Sequence, residues 1–204
     1  MQSQFSEPAS YALWLIVPVK PFGEGKSRLA AVLSTDLRAE FSQRWMTHVL
    51  TVAATWGNFA GMAVVSRDAR VLAVASELGA LPIVEVGDDL NEAITQACKV
   101  VCAAGAEGVL MLPSDLPLLT HEDLDELYDL SLEGDGVIIA PSHDGGTNAL
   151  LLRPPQAIPY AFGEGSFARH AMLAASATLP CYVYNSSTLA LDIDHPEDLL
   201  LANG

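Results

Sequence analysis

Residues 18–30 read PVKPFGEGKSRLA and place three cations, Lys20, Lys26 and Arg28, around two glycines, Gly23 and Gly25. The whole chain has only 10 Lys and Arg, so this one loop carries close to a third of its positive charge. Glycine lets backbone amides approach a ligand closely, and ammonium and guanidinium groups neutralise phosphate oxygens. Within the stretch, GEGKS looks like the end of a P-loop, yet the opening glycine of a P-loop would fall at position 20, where Lys20 stands. Pro21 removes one more backbone donor from a motif that works through such donors. A different triphosphate cradle fits better, one suited to nucleotidyl transfer, where catalysis is mostly positioning and charge stabilisation around the α-phosphate. Lys20, Lys26 and Arg28 are candidate catalytic residues on this reading. Gly23, Gly25, Lys26 and Arg28 are candidate nucleotide contacts.

Such chemistry usually employs Mg²⁺, held by one or two carboxylates and the substrate phosphates. In MLPSDLPLL, Asp115 follows a buried strand among apolar and proline neighbours, so it is a candidate metal ligand and catalytic residue. A turn cap before Pro117 is the bland alternative. In LALDIDHPEDLL, Asp192 and Asp194 alternate in a strand-like run and would share a face. Either could hold metal, and Asp194 could instead cap a final helix opened by Pro196.

Two further loops could hold an anionic acceptor. GGTNALLLRPP offers Thr147 and Asn148 after a Gly-Gly turn, and FGEGSFARH offers Gly163 and Ser166 at the start of a helix, where amides favour anions. Arg153 and Arg169 are optional anion contacts. His143, His170 and His195 form no metal-ligand pattern and read as structural, and no Ser-His-Asp arrangement is visible. Cys98 and Cys102 are spaced i, i+4 on a helical pattern and read as small core residues.

These loops need a frame. Apolar runs at 12–19, 60–66, 81–86, 108–113, 136–141 and 147–153 read as strands, and 181–185 and 188–193 as shorter ones. Helical periodicity occupies 36–56, 68–78, 90–104, 120–131, 166–177 and 195–203, which His195 opens. Thr35 or Asp36 could cap the first, Asp88 or Asp89 the third, and Thr120 with Asp123 forms a capping box for the fourth. Alternation of strand and helix predicts a single α/β domain over 1–204, Rossmann-like, with a mostly parallel central sheet, helices on both faces and a small strand-rich sub-sheet. Ligands in such sheets bind where loops leave the carboxyl ends of the strands. The 20–28 loop and Asp115 both sit at such exits.

The chain of 204 residues is half hydrophobic, with 25 acidic against 10 basic side chains and a net charge of −15. That balance argues against nucleic-acid and anionic-membrane partners. No apolar run reaches the ~20 residues of a membrane helix. Three cysteines and a polar opening, MQSQFSEPAS, point to the cytoplasm.

Taken in order, PVKPFGEGKSRLA, PSDLPLL, GGTNALLLRPP, FGEGSFARH and DIDHPEDL resemble the 2-phospho-L-lactate guanylyltransferase family, whose bacterial members include phosphoenolpyruvate and 3-phosphoglycerate guanylyltransferases. The resemblance spans nearly the whole chain. It implies a nucleotidyltransferase fold and transfer of GMP from GTP to the phosphate of a small phosphorylated carboxylic acid, with Mg²⁺, in deazaflavin coenzyme F-420 biosynthesis. It places the acceptor at Thr147, Gly163 and Ser166 and the metal at Asp115 and the DID segment. A molybdenum-cofactor-type or sugar-phosphate nucleotidyltransferase shares the metal carboxylates but not the GGTN and FGEGSF pair. A non-catalytic nucleotide-binding module is the remaining alternative, and a homodimer is left open. Two departures stand out: SHD precedes the GGTN turn where a basic DRH-like sequence is usual, and His195 stands where Thr is usual.

Overall fold

A computed structural model describes residues 11–24, 29–30, 32–87 and 89–193. Seven strands form one sheet: β1 (Leu13–Pro18), β2 (Gly61–Ser66), β3 (Leu81–Val84), β4 (Gly108–Met111), β5 (Gly136–Pro141), β6 (Thr147–Arg153) and β7 (Cys181–Val183). Among the described residues five helices connect them: α1 (Thr35–Trp56), α2 (Ala69–Glu77), α3 (Leu90–Ala103), α4 (His121–Leu132) and α5 (Ser166–Ser176).

The strand order is β3-β2-β1-β4-β6-β5-β7. β1 pairs in parallel with both β2 and β4, and only β6 runs against its neighbours. Side chains on β1 alternate between the faces. Leu13, Leu15 and Val17 join the core under α1, α2 and α4, while Ile16 packs with Ala93, Ala97 and Cys98 of α3 on the other face. α5 covers β5 and β6 through Val137, Ile139, Leu150 and Leu152. Strands buried on both faces must be apolar throughout, which is why they read as continuous runs. Cys98 and Cys102 lie on α3 with their sulfurs 3.8 Å apart, and burial pushes the Cys98 thiol up to about 11, as suits a core residue.

The structure differs from the sequence reading in three places. The cap of α1 is Ser34, not Thr35 or Asp36: it is extended and accepts from the Leu37 amide at 3.3 Å. Three capping residues stand in a row, and using the first leaves Asp36 in the first turn beside the positive end of the helix dipole. The strand-rich final third builds no sub-sheet among the described residues; β5, β6 and β7 extend the main sheet. Residues 188–193 pair with no strand among the described residues. Hydroxyls of Ser186 and Thr188 bond the Asp123 carboxylate, and the Ala190 amide turns back to the Ser186 carbonyl at 3.0 Å, so side-chain bonds displace a ladder. The final helix expected over 195–203 lies outside the described residues. Capping of α3 by Asp89 and the Thr120–Asp123 box on α4 are both present. No helix of the described residues is long and apolar enough to cross a membrane.

Candidate active site

Connections from β1 lead one way across the sheet to β2 and β3, whereas β4 lies on the other side of β1. The loops leaving β1 and β4 therefore diverge and open a crevice, the usual ligand position in an open α/β sheet. A cavity of about 310 Å³ occupies it, lined by Lys20 and Pro21 after β1 and by Ser114 and Asp115 after β4. Lys20 is exposed, and Asp115 is half-buried between two fully buried anchors, Leu112 and Leu116. Those anchors fix the carboxylate at the strand exit without enclosing it. Ser42 of α1 also lines the cavity, and its Oγ is enclosed with no hydrogen-bond partner among the described residues.

Past β1 the chain makes a turn closed by the Glu24 amide on the Pro21 carbonyl at 2.8 Å. Phe22 is buried, its amide reaches Asp68 at 3.4 Å, and Glu24 forms an ion pair with Arg67. The loop is thereby tied to the β2 exit. An added Cβ at Gly23 would meet only Thr35 Cγ2 at 3.9 Å, an ordinary contact, so the fold itself does not demand glycine there. Gly25, Lys26, Arg28 and Asp194 lie outside the described residues.

Asp192 connects the remaining parts. Its neighbours Leu191 and Ile193 are buried, so it retains the strand-like alternation although no strand forms. Ile193 packs with Leu29, just beyond the glycine-rich loop, and with Trp45 of α1. The Asn148 side-chain amide donates to Asp192 Oδ1 at 3.2 Å and to the Leu189 carbonyl at 2.8 Å. Asn148 thus positions Asp192 rather than presenting itself to a ligand; it is 4 % exposed. β6 begins where β4 ends, with Leu150 opposite Met111, so Asp115 and Asp192 lie at the same end of the sheet. Among the described residues no three His, Cys, Asp or Glu side chains gather as a metal group. Separate hard carboxylate donors of this kind fit Mg²⁺, which is commonly held by one or two carboxylates with the rest of its shell from phosphates and water.

The GGTN and FGEGSF loops do come together. Gly163 and Gly165 have φ of 121° and 66°, a backbone that glycine adopts freely, and Gly165 serves as the cap of α5 without a side-chain bond. Ser166 therefore occupies the first helical position with its hydroxyl turned inward, donating to Thr147 Oγ1 at 3.0 Å. Beneath them is His170, fully buried. The Ala161 amide donates to its Nε2 at 3.0 Å, so its proton is on Nδ1, which donates to Thr147 Oγ1 at 3.1 Å. Burial, with repulsion from Arg169, holds the His170 pKa down to about 4, keeping the ring neutral. Two donors then converge on the Thr147 oxygen and leave its own proton uncommitted among the described residues. Gly163, whose carbonyl accepts from the Ser166 amide at 3.0 Å, is exposed. His170 was legible only as structural; its role in orienting Thr147 has no sequence signal, because the two are 23 residues apart.

Asp123 was legible as a capping residue, and it does more. Besides Thr120, the hydroxyls of Ser186, Thr188 and Tyr184 donate to it at 2.6, 2.7 and 3.2 Å. It anchors the segment that leads to Asp192. Arg153 is not an anion contact: it lies at the opposite end of β6, stacked over Tyr11 at 4.2 Å and bonded to the Ser131 carbonyl at 2.9 Å. Arg169 folds back to donate to the Ala161 carbonyl at 3.1 Å. The SHD segment caps a tight turn, and the His143 amide donates to the Ala190 carbonyl at 3.2 Å, beside the Asp192 segment.

Comparison with known proteins matches the family described as "Guanylyl transferase CofC like" over residues 13–202. A phosphoenolpyruvate guanylyltransferase of Sphaerobacter thermophilus is 40% identical over 185 residues, covering 90% of this chain and 89% of that protein. A 2-phospho-L-lactate guanylyltransferase of Methanothermobacter thermautotrophicus is 37% identical, covering 90% of this chain and 81% of its own length. The fold also resembles a crystal structure from Desulfovibrio desulfuricans G20, named as a candidate nucleotide-diphospho-sugar transferase. The TM-score is 0.74 at 22% identity, with 93% of this chain and 85% of that one covered.

Proposed function

The chain belongs to the CofC-like guanylyl transferase family, and from that premise we propose that it transfers GMP from GTP to the phosphate of a small phosphorylated carboxylic acid. The observation that carries this is the joining of two half-sites through Asp192. Ile193 packs on Leu29, just beyond the glycine-rich loop, while Asn148 ties Asp192 to the Thr147–Ser166–His170 network. One half suits a nucleoside triphosphate and the other a small acid.

In this reading the glycine-rich loop and Lys20 hold the triphosphate in the crevice between β1 and β4. Lys26 and Arg28 complete the positive charge of that loop. The acceptor lies against the exposed backbone of Gly163 and the hydroxyl of Thr147, whose free proton donates to an acceptor oxygen. Ser166 and the neutral His170 fix that hydroxyl rather than touching the acceptor. An acceptor phosphate oxygen attacks the α-phosphorus in line, the bond to the β-phosphate oxygen breaks, and pyrophosphate leaves. No general base is needed, because a phosphate monoester is largely dianionic near neutral pH. Mg²⁺ held by Asp115 and Asp192, when bound, would neutralise charge on the transferring phosphate. Phosphoenolpyruvate, 2-phospho-L-lactate and 3-phospho-D-glycerate all fit this description, and the product would enter deazaflavin coenzyme F-420 assembly.

The experiment is pyrophosphate release from GTP and Mg²⁺ with each of the three acids. Phosphoenolpyruvate comes first, since a relative of 40% identity bears its name. Asp115→Asn should lower kcat at least a hundredfold, as loss of a charge-stabilising group in the transition state does. Release from none of the three acids would refute the function, and wild-type turnover by Asp115→Asn would refute the metal assignment.

A further inference from the structure

The crevice extends well beyond the phosphate end. The cavity that begins at Ser114 and Asp115 passes Lys20 and ends against Arg67, Glu85 and Leu90. Those residues follow β4, β1, β2 and β3, which are consecutive in the sheet. Three strand spacings amount to roughly 14 Å, the reach of an extended nucleoside phosphate. A nucleotide whose α-phosphate lies near Asp115 therefore has its base at the β2 and β3 exits.

We propose that Glu85 reads the base there, its carboxylate accepting the N1–H and the 2-amino group of guanine. This rests on the guanylyl-transfer reading above and deepens it. The backbone around Glu85 is clamped. The Gln96 side-chain amide donates to the Val84 carbonyl at 2.8 Å and accepts from the Val86 amide at 3.0 Å, while the Glu85 amide donates to the Ser66 carbonyl at 3.0 Å. Val84 and Val86 are 65% and 75% exposed, so strand alternation sends Glu85 to the opposite side, where it lines the cavity. No described side chain pairs with its carboxylate, although Asp68 and Glu24 nearby are both paired with arginines. Leu90 and Ala93 at the start of α3 supply an apolar wall for a ring.

The chemistry discriminates between bases. Guanine offers two adjacent N–H donors on one edge, and an ionised carboxylate accepts with two oxygens and donates nothing. Adenine presents a lone pair at N1, which meets the carboxylate with repulsion. Inosine keeps N1–H but lacks the 2-amino group, so it loses one of the two bonds. A site built to accept a hydrogen bond rejects the analogue that lacks the donor.

The test compares kcat/KM for GTP, ITP and ATP in wild type, Glu85→Gln and Glu85→Ala, with phosphoenolpyruvate as acceptor and pyrophosphate release as readout. One bond to a charged acceptor corresponds to roughly a tenfold to hundredfold preference, so wild type should favour GTP over ITP by that factor. Glu85→Ala should bring the GTP-to-ITP ratio to about one and reduce GTP-over-ATP selectivity at least tenfold, with the KM of the acceptor unchanged. Glu85→Gln, with one acceptor oxygen left, should fall between. Because the Glu85 carboxylate has no described partner, neither variant should melt measurably earlier. Wild-type selectivity retained by Glu85→Ala would overturn the reader alone. A wild type that uses ATP but not GTP would overturn the guanylyl reading as well.

Discussion

Asp123 is 2 % exposed, and its carboxylate is the acceptor for hydroxyls of Thr120, Ser186, Thr188 and Tyr184. Asp123→Ala removes the reciprocal half of the capping box, worth about 1 kcal/mol. It also leaves Ser186 and Thr188 hydroxyls in a part-buried site without their charged acceptor, at about 1 kcal/mol or more each. The two can still bond each other at 2.6 Å, which limits the loss. The sum is about 3 kcal/mol, or a fall in Tm of roughly 6–12 °C for a chain of this size. Asp123→Asn keeps one acceptor oxygen and should lose about half as much. The consequence for the site is separate from stability. Leu189, whose amide donates to Ser186 Oγ at 3.1 Å, is three residues before Asp192, so freeing Ser186 and Thr188 frees the Asp192 segment. Assayed 20 °C below its own Tm, Asp123→Ala should show a lowered kcat and a raised Mg²⁺ requirement, with the KM of the acceptor near wild type. A Tm within 1 °C of wild type would refute the energetic argument. Normal Mg²⁺ dependence despite a lowered Tm would refute the link to Asp192.

Two further outcomes follow from the same geometry. The His170 pKa lies below its usual value near 6.5, at about 4, so the unfolded chain binds a proton between those values that the folded chain does not. Stability is therefore complete above pH 6.5 and falls as the pH drops toward 4, by at most about 3 kcal/mol; His170→Gln should remove that part of the slope in urea midpoints at pH 7 and 4.5, and parallel curves would contradict it. At Gly23 the protein leaves room for a methyl group, so Gly23→Ala should leave Tm unchanged or slightly raised while raising the KM for GTP several-fold; an unchanged KM would mean that the backbone there does not approach the nucleotide.

Much of the frame is legible in the chain because its signals are local. Parallel strands buried on both faces must be apolar for their full length, so β1, β4 and β5 appear as unbroken runs at the expected positions. The α4 capping box is written in four consecutive residues and forms as read. Position 188–193 shows the limit of that logic. Its apolar alternation is realised in burial, yet no ladder forms among the described residues, because Asp123, more than 60 residues away, takes the hydroxyls of Ser186 and Thr188 at its start. Thr147, Gly163 and Ser166 are likewise brought together as expected, but Ser166 faces inward because the cap falls on Gly165.

By itself the sequence determines the elements, the strand exits that carry Lys20 and Asp115, and the motifs that mark the family, since each depends on neighbouring residues alone. The tertiary structure decides which of these polar groups are spent on one another. It assigns Asn148 to Asp192, Ser166 and His170 to Thr147, and Asp123 to the segment before Asp192, and it leaves Glu85 facing the cavity without a described partner. A buried polar group must find a partner wherever the fold provides one, and that partner is set by sheet order, which no local pattern encodes.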